Sequence, residues 1–289
     1  MRTVESIGDV RGAVREARLG GARVGFVPTM GFLHEGHLSL VDQARQRCDL
    51  VVMSLFVNPL QFGPTEDLAK YPRDGAGDAA KAAARGVDLL FMPTVETMYP
   101  GDRVVSVTPA GLDARWEGEI RPGHFAGVLT VVAKLFHIVQ PDVAVFGQKD
   151  FQQAALVRAM VRDLDMPLEI VVAPTVREAD GLAMSSRNSY LAGDDRARAR
   201  ALSIALRAVQ RAWRDGEASG ARLSALGRAA LEAHAPGATV DYLAVVDGGT
   251  LAPVEHATAA SVVLVAARLG ATRLIDNAVL GAPIAEPTS

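Results

Sequence analysis

Residues 24–37 read Val24-Gly25-Phe26-Val27-Pro28-Thr29-Met30-Gly31-Phe32-Leu33-His34-Glu35-Gly36-His37, and their order decides the fold class. An apolar run passes through Pro28 and Gly31 into His34-Glu35-Gly36-His37, after which Leu38, Val41 and Ala44 recur at helical spacing. That is a strand, a tight loop and a helix start. A helix N-terminus carries unpaired backbone N–H groups and a partial positive charge, so its natural guest is an anion, phosphate above all. Gly31 and Gly36 let backbone approach a ligand more closely than a Cβ would allow. Taken alone, HEGH keeps two other readings. The imidazoles could be surface or capping groups, or two ligands of a zinc ion that would need at least one more.

Working outward, Val10, Ala13, Val14 and Ala17 give a helix over residues 10–19 that Gly20-Gly21 closes, so a helix is expected before the first strand, residues 24–27. Residues 50–57 are apolar almost without interruption, the signature of a strand covered on both faces of a parallel sheet. Asn58-Pro59 stops that run. Ligands of open α/β sheets bind beyond the carboxyl ends of strands, which places Asn58 and Gln61 in a favoured position. A helix over 78–85, strands at 87–92 and 104–107, a loop at 119–127 and a helix over 128–139 follow. A strand at 143–146, the turn Gly147-Gln148-Lys149-Asp150, a helix through Met160 and a strand at 170–172 complete the alternation. Beyond Leu191 the texture changes to Ala/Arg-rich helices over 194–213 and 222–234, with short strands at 239–246, 261–266 and 273–275. The pattern is α/β: a Rossmann-like parallel-sheet N-terminal domain over residues 1–176 and a smaller α+β C-terminal domain over 177–289, with the tail from Gly281 expected to fray.

Composition narrows the function classes. Of 289 residues, 49% are hydrophobic and 22% charged, a globular balance rather than a disordered one. A net charge of -3 and the lack of a compact Lys/Arg block disfavour nucleic acid as a partner. Cys48 is the single cysteine, so no intrachain disulfide can form and a reducing cytoplasm is the expected setting. No stretch approaches the roughly 20 apolar residues that span a bilayer, and residues 1–9 lack the apolar core of a signal peptide, so no membrane association is expected.

HEGH resembles the HxGH element of the nucleotidylyltransferase superfamily, and MSSRN at residues 184–188 resembles its second, KMSKS-type element. The fuller set is more particular. PTMGFLHEGH (28–37), FVNPLQF (56–62), YPRD (71–74), RPGHFAGV (121–128), FGQKDFQQ (146–153) and PTVREADGLAMSSRN (174–188) closely resemble the pantoate-beta-alanine ligase family, and DYLAVVD and TRLIDN resemble its C-terminal domain. Asp74 stands where the family commonly has threonine.

The resemblance implies ATP-dependent adenylation of pantoate followed by attack of beta-alanine, giving pantothenate, AMP and pyrophosphate. It implies that His34, His37, Lys149 and Arg187 are catalytic, with Ser185 and Ser186 also on the phosphates. Gly147 and Asp150 would contact ribose, and Val176, Met184 and Met30 would complete the ATP site. Gln61 and Gln153 would hold pantoate between Met30 and Phe56, with Arg121 and His124 toward beta-alanine. Mg²⁺ would accompany ATP, with Asp78 as a contact either to the metal or to Gln153. The resemblance further implies a homodimer and a C-terminal domain that acts as a lid.

An adenylyltransferase that stops after transferring AMP, a nucleotide-binding regulator and a tRNA-handling protein are the other readings. The regulator is disfavoured because the phosphate-binding residues are all present, and the tRNA protein because the charge balance is acidic.

Overall fold

The computed structural model describes residues 1–64 and 66–284, and these separate into two compact units: residues up to 147 with 152–173, and residues 148–151 with those from 174 onward. The first unit is built on a six-stranded, wholly parallel sheet. Its strands are β1 (Arg2–Val4), β2 (Val24–Thr29), β3 (Leu50–Leu55), β4 (Leu89–Phe91), β5 (Val143–Gly147) and β6 (Glu169–Ala173). Between them run α1 (Ile7–Leu19), α2 (Glu35–Arg45), α3 (Gly75–Ala84), the single turns α4 (Val95–Met98) and α5 (Glu117–Ile120), α6 (His124–Val139) and α7 (Phe151–Asp163).

Successive residues of a strand point to opposite faces, and the core divides accordingly. Phe26, Val52 and Ala144 pack with α1, α6 and α7 on one face, while Val27, Val51, Met53 and Val145 pack with α2 and α3 on the other. Burial on both faces is the reason that β3 shows no polar alternation.

Spatially the strands run β1-β4-β3-β2-β5-β6. From β2 the chain steps outward to β3 and β4, then returns through α6 to place β5 on the other side of β2. The order reverses between β2 and β5, the switch point beyond which open α/β sheets bind ligands. β2 leads there directly into Met30 through His37, and β5 ends there on Gly147.

Several sequence expectations differ from the fold. A strand, β1, precedes the first helix; three residues are too few to show a period, and the pairing of Arg2 with Leu89 on β4 supplies what the local sequence lacks. Residues 104–107 form no strand, since Val104 and Val105 are 92% and 77% exposed and Val107 N donates to Thr130 Oγ1. The segment from Gly281 is packed as far as buried Ile284, with Gly281 N donating to Ala259 O and Gln210 Nε2 to Ala282 O; residues 285–289 lie outside the described residues.

The second unit has an antiparallel sheet of β7 (Thr239–Asp247), β8 (Ser261–Leu269) and β9 (Thr272–Val279). α8 (Asp194–Arg198), α9 (Ala201–Arg214) and α10 (Gly220–His234) precede it, and leucines of α9 and α10 share its core. β9 runs well past residue 275 because Asp276 and Asn277, polar interruptions of an apolar run, are themselves buried in the strand. No helix among the described residues is long and apolar enough to cross a membrane.

Candidate active site

His34 is the extended N-cap of α2. Gly36 N donates to His34 Nδ1 at 3.1 Å, and His34 N donates to His37 Nδ1 at 3.4 Å. An amide N–H can only donate, so both Nδ1 atoms accept and, in the neutral rings, both protons sit on Nε2. The rings stack with centroids 4.1 Å apart and a tilt of 36°. Capping is therefore compatible with anion binding by the same rings. The caps fix the tautomers, and the tautomers make two imidazole N–H donors at the positive end of α2.

The turn before them is held from outside. Gly31 and Phe32 have successive positive φ values of 91° and 52°, which turns neighbouring amides toward one point. Asp78, 2% exposed in the first turn of α3, fills that point: Phe32 N donates to Oδ2 and Leu33 N to Oδ1, each at 2.7 Å. A Cβ on Gly31 would approach Asp78 Oδ2 to 3.0 Å. Asp78, expected to touch a metal or Gln153, thus has each oxygen bonded to a backbone N–H of the turn. Asp74, the departure from the family motif, accepts from Gly77 N at 3.0 Å as the N-cap of α3, a task that threonine also performs.

A second group lies after β3. Asn58 Nδ2 donates to Gln61 Oε1 and to Gly127 O, both at 3.1 Å, and Asn58 Oδ1 accepts from Tyr99 OH at 2.8 Å. With Oε1 so engaged, Gln61 turns its amide donor Nε2 toward Met30 Sδ, 3.2 Å away. Phe56 is buried, its ring 6.0 Å from that of Tyr99. Burial pushes the Tyr99 hydroxyl up to about 12, so it remains a donor to Asn58 at neutral pH. Neither Tyr99 nor its tie to Asn58 carries a sequence signal, because the two are 41 positions apart. Gln153 is half-buried on α7. Its neighbour Gln152 is structural, donating to Leu112 O and Arg115 O and accepting from Glu117 N.

Arg121, just after α5, and His124, the first residue of α6, form a clamp. Arg121 bonds both oxygens of Glu66, and its Nη1 lies 3.0 Å from His124 Nε2. His124 Nδ1 lies 2.8 Å from Gln61 O. A carbonyl only accepts and a guanidinium only donates, so His124 carries its proton on Nδ1 and accepts at Nε2. Burial first, and the Arg121 charge second, lower its pKa from 6.5 to about 4. As pH falls through that window the unfolded chain takes a proton that the folded chain refuses, so stability should fall by about 3 kcal/mol between the two values and then level off. His124→Asn, which can keep the donor to Gln61 O without titrating, should flatten that part of a melting-temperature profile from pH 7 to 4. Parallel profiles for the two proteins would refute the assignment.

The second unit holds Lys149, Asp150, Val176 and residues 184–187; every other candidate lies in the first. Lys149 Nζ lies 3.3 Å from Asp150 Oδ2. A hairpin with Arg177 bridged to Ala183 brings Met184 N onto Val176 O at 3.0 Å, so these two residues stand side by side. Ser185 then caps a short 3₁₀ turn containing buried Ser186 and Arg187, accepting from Arg187 N. Among the described residues, no three His, Cys, Asp or Glu side chains group as a metal site. Cys48 is buried, and burial raises its thiol pKa, which disfavours the thiolate.

The profile of the pantoate-beta-alanine ligase family matches residues 2–279. A pantothenate synthetase of Acidobacterium capsulatum is 54% identical, with 97% of each chain covered. The crystal structure of pantothenate synthetase from Thermus thermophilus superposes with a TM-score of 0.92 at 50% identity, covering 97% of this chain and 99% of that one. A pantoate-beta-alanine ligase from Francisella tularensis, complexed with beta-gamma ATP and beta-alanine, matches with a TM-score of 0.80 at 31% identity over 99% of this chain and 100% of that one.

Proposed function

The chain belongs to the pantoate-beta-alanine ligase family and is an ATP-dependent ligase of pantoate and beta-alanine, and we propose that it works through a pantoyl adenylate formed at the His34–His37 turn. The observation that carries this is the pair of imidazoles whose capped Nδ1 atoms leave Nε2–H as donor at the start of α2, at the switch point of the sheet.

A pantoate carboxylate attacking the α-phosphate meets like charge, and negative charge builds on that phosphate and on the departing pyrophosphate. Fixed donors and cations answer this need without a protein nucleophile. His37 and His34 would donate to α-phosphate oxygens. Lys149, Ser185, Ser186 and Arg187 would hold the β and γ groups, Arg187 as a planar fork and Lys149 as a point charge. Gly147 and Asp150 would take the ribose, with Val176 and Met184 beside adenine. The amides of Gln61 and Gln153 would orient pantoate against Met30 and Phe56. The beta-alanine amine then attacks the acyl carbon, AMP leaves and an amide forms. Arg121 and His124, bound to one another and to Gln61 O, suit support of that side of the site.

Mg²⁺ would arrive with ATP, held by phosphate oxygens and water. Both oxygens of Asp78 face the turn, where each accepts a backbone N–H, so bracing the turn is the role its contacts support better than a metal ligand. A homodimer, a cytoplasmic setting and a second unit that closes as a lid belong to the same proposal.

The test is incubation with ATP and pantoate, with and without beta-alanine. AMP together with an amide product should appear only when all three are present. A stable adenylylated product formed without dependence on beta-alanine would identify the chain as an adenylyltransferase instead.

A further inference from the structure

The C-terminal motif TRLIDN contributes no residue to the chemistry above, yet its last two residues are among the most deeply buried polar groups of the second unit. Asp276 is 3% exposed and Asn277 2%, between buried Leu274 and Ala278 of the same strand. Burying two adjacent polar side chains is costly unless each is fully bonded, and their partners explain the cost.

Asn277 reaches the segment that bears Lys149. Its Nδ2 donates to Gln148 O and Lys149 O, both at 2.9 Å, and its Oδ1 accepts from Gln148 Nε2 at 3.2 Å. The carbonyls of the two peptides that flank Lys149 are thus fastened to β9 by one amide. Asp276 reaches the hairpin that leads to Arg187. Its carboxylate pairs with Arg177 through two bonds of 2.7 and 3.0 Å, and Arg177 Nη1 also donates to Gly181 O at the hairpin tip. The two hairpin arms are joined by Glu178 N to Leu182 O and Met184 N to Val176 O, so fixing Arg177 and Gly181 fixes where residues 184–187 emerge. Neighbouring strand residues point to opposite faces, which lets one dipeptide serve two segments.

We propose that Asp276 and Asn277 are positioning residues for ATP, a bracket on β9 that sets the Lys149 and Arg187 backbones in one rigid frame so that both cations are presented together. The proposal rests on the reading of Lys149 and Arg187 as phosphate ligands. A mobile lysine ammonium is effective only from an anchored main chain, because displacement by an ångström removes much of the benefit of a placed charge. Asp276 is the poorer test, since removing it strands the buried Arg177 charge and threatens folding.

The experiment uses Asn277→Asp in full-length enzyme: it keeps the shape and an acceptor, but in place of two N–H donors has none when ionised and one O–H when protonated, so it cannot hold both carbonyls. Steady-state constants for ATP and pantoate are measured beside melting temperature. KM for ATP should rise about tenfold and KM for pantoate should stay within about twofold. Gln148→Ala loosens the same anchor from its half-buried side, with little risk to folding, and should raise KM for ATP about threefold. Lys149→Ala and the double variant Lys149→Ala/Asn277→Asp close a cycle: once the ammonium is gone, the Asn277 change should cost less than about threefold. If Lys149→Ala impairs ATP use but Asn277→Asp and Gln148→Ala are silent, additive with it, or equally damaging to both substrates, the bracket is wrong while the phosphate reading stands. If Lys149→Ala leaves ATP use unchanged, the phosphate reading falls, and the bracket with it.

Discussion

Replacing His37 with alanine should slow adenylate formation by roughly 10² to 10³-fold, the scale for deleting one transition-state donor. The relevant measurement is single-turnover formation of pantoyl adenylate at saturating ATP and pantoate, which separates this step from amide formation and release. The ring also accepts from His34 N, so the variant loses a helix cap worth about 1 kcal/mol, too little to unfold a domain of this size. His37→Gln distinguishes donor from base. A glutamine amide donates but cannot take a proton at neutral pH, so a rate clearly above that of the alanine variant supports charge stabilisation. A near-normal rate for His37→Ala would remove the histidine from the mechanism altogether.

Asp78→Ala should destabilise the first unit by about 2–5 kcal/mol, because it leaves two buried amides that lose charge-assisted bonds together. The loss falls on a turn already strained by Phe32 at a φ of 52°, so the geometry of His34 and His37 should loosen and adenylation should fall with stability. Thermal unfolding reads the first effect, and an unchanged melting temperature would show that the carboxylate does not brace the turn. Asp78→Asn addresses the metal alternative, as it keeps an oxygen for one amide. The Mg²⁺ concentration for half-maximal activity should match wild type; an increase of about tenfold or more would return Asp78 to the metal.

The fold was legible where local pattern and burial coincide. Helices and central strands bury one stripe or two faces, and the spacing of Val10, Val14, Leu38, Val41 and Ala44 or the unbroken run at 50–55 records that directly. β1 escaped because its register is supplied by β4 and not by its own three residues. The expected strand at 104–107 failed because two adjacent valines describe a propensity, and among the described residues no strand pairs with them, which leaves both exposed.

The candidate site divides in the same way. The sequence by itself determined the order of strand, tight turn and helix start at residues 24–37, the residue types His34, His37, Lys149 and Arg187, and through the motifs the family and its chemistry. Only the tertiary structure decided what those groups can do. It put the histidine protons on Nε2, gave the Asp78 oxygens the backbone amides of Phe32 and Leu33, made His124 a neutral clamp and gave Asp276 and Asn277 their partners. The physical reason is reach: periodicity reports which face of an element is buried, a property of neighbours in the chain. A buried carboxylate or amide is defined by the donor it meets, and Asp78 finds its amides 45 and 46 positions away, Asp276 its guanidinium 99.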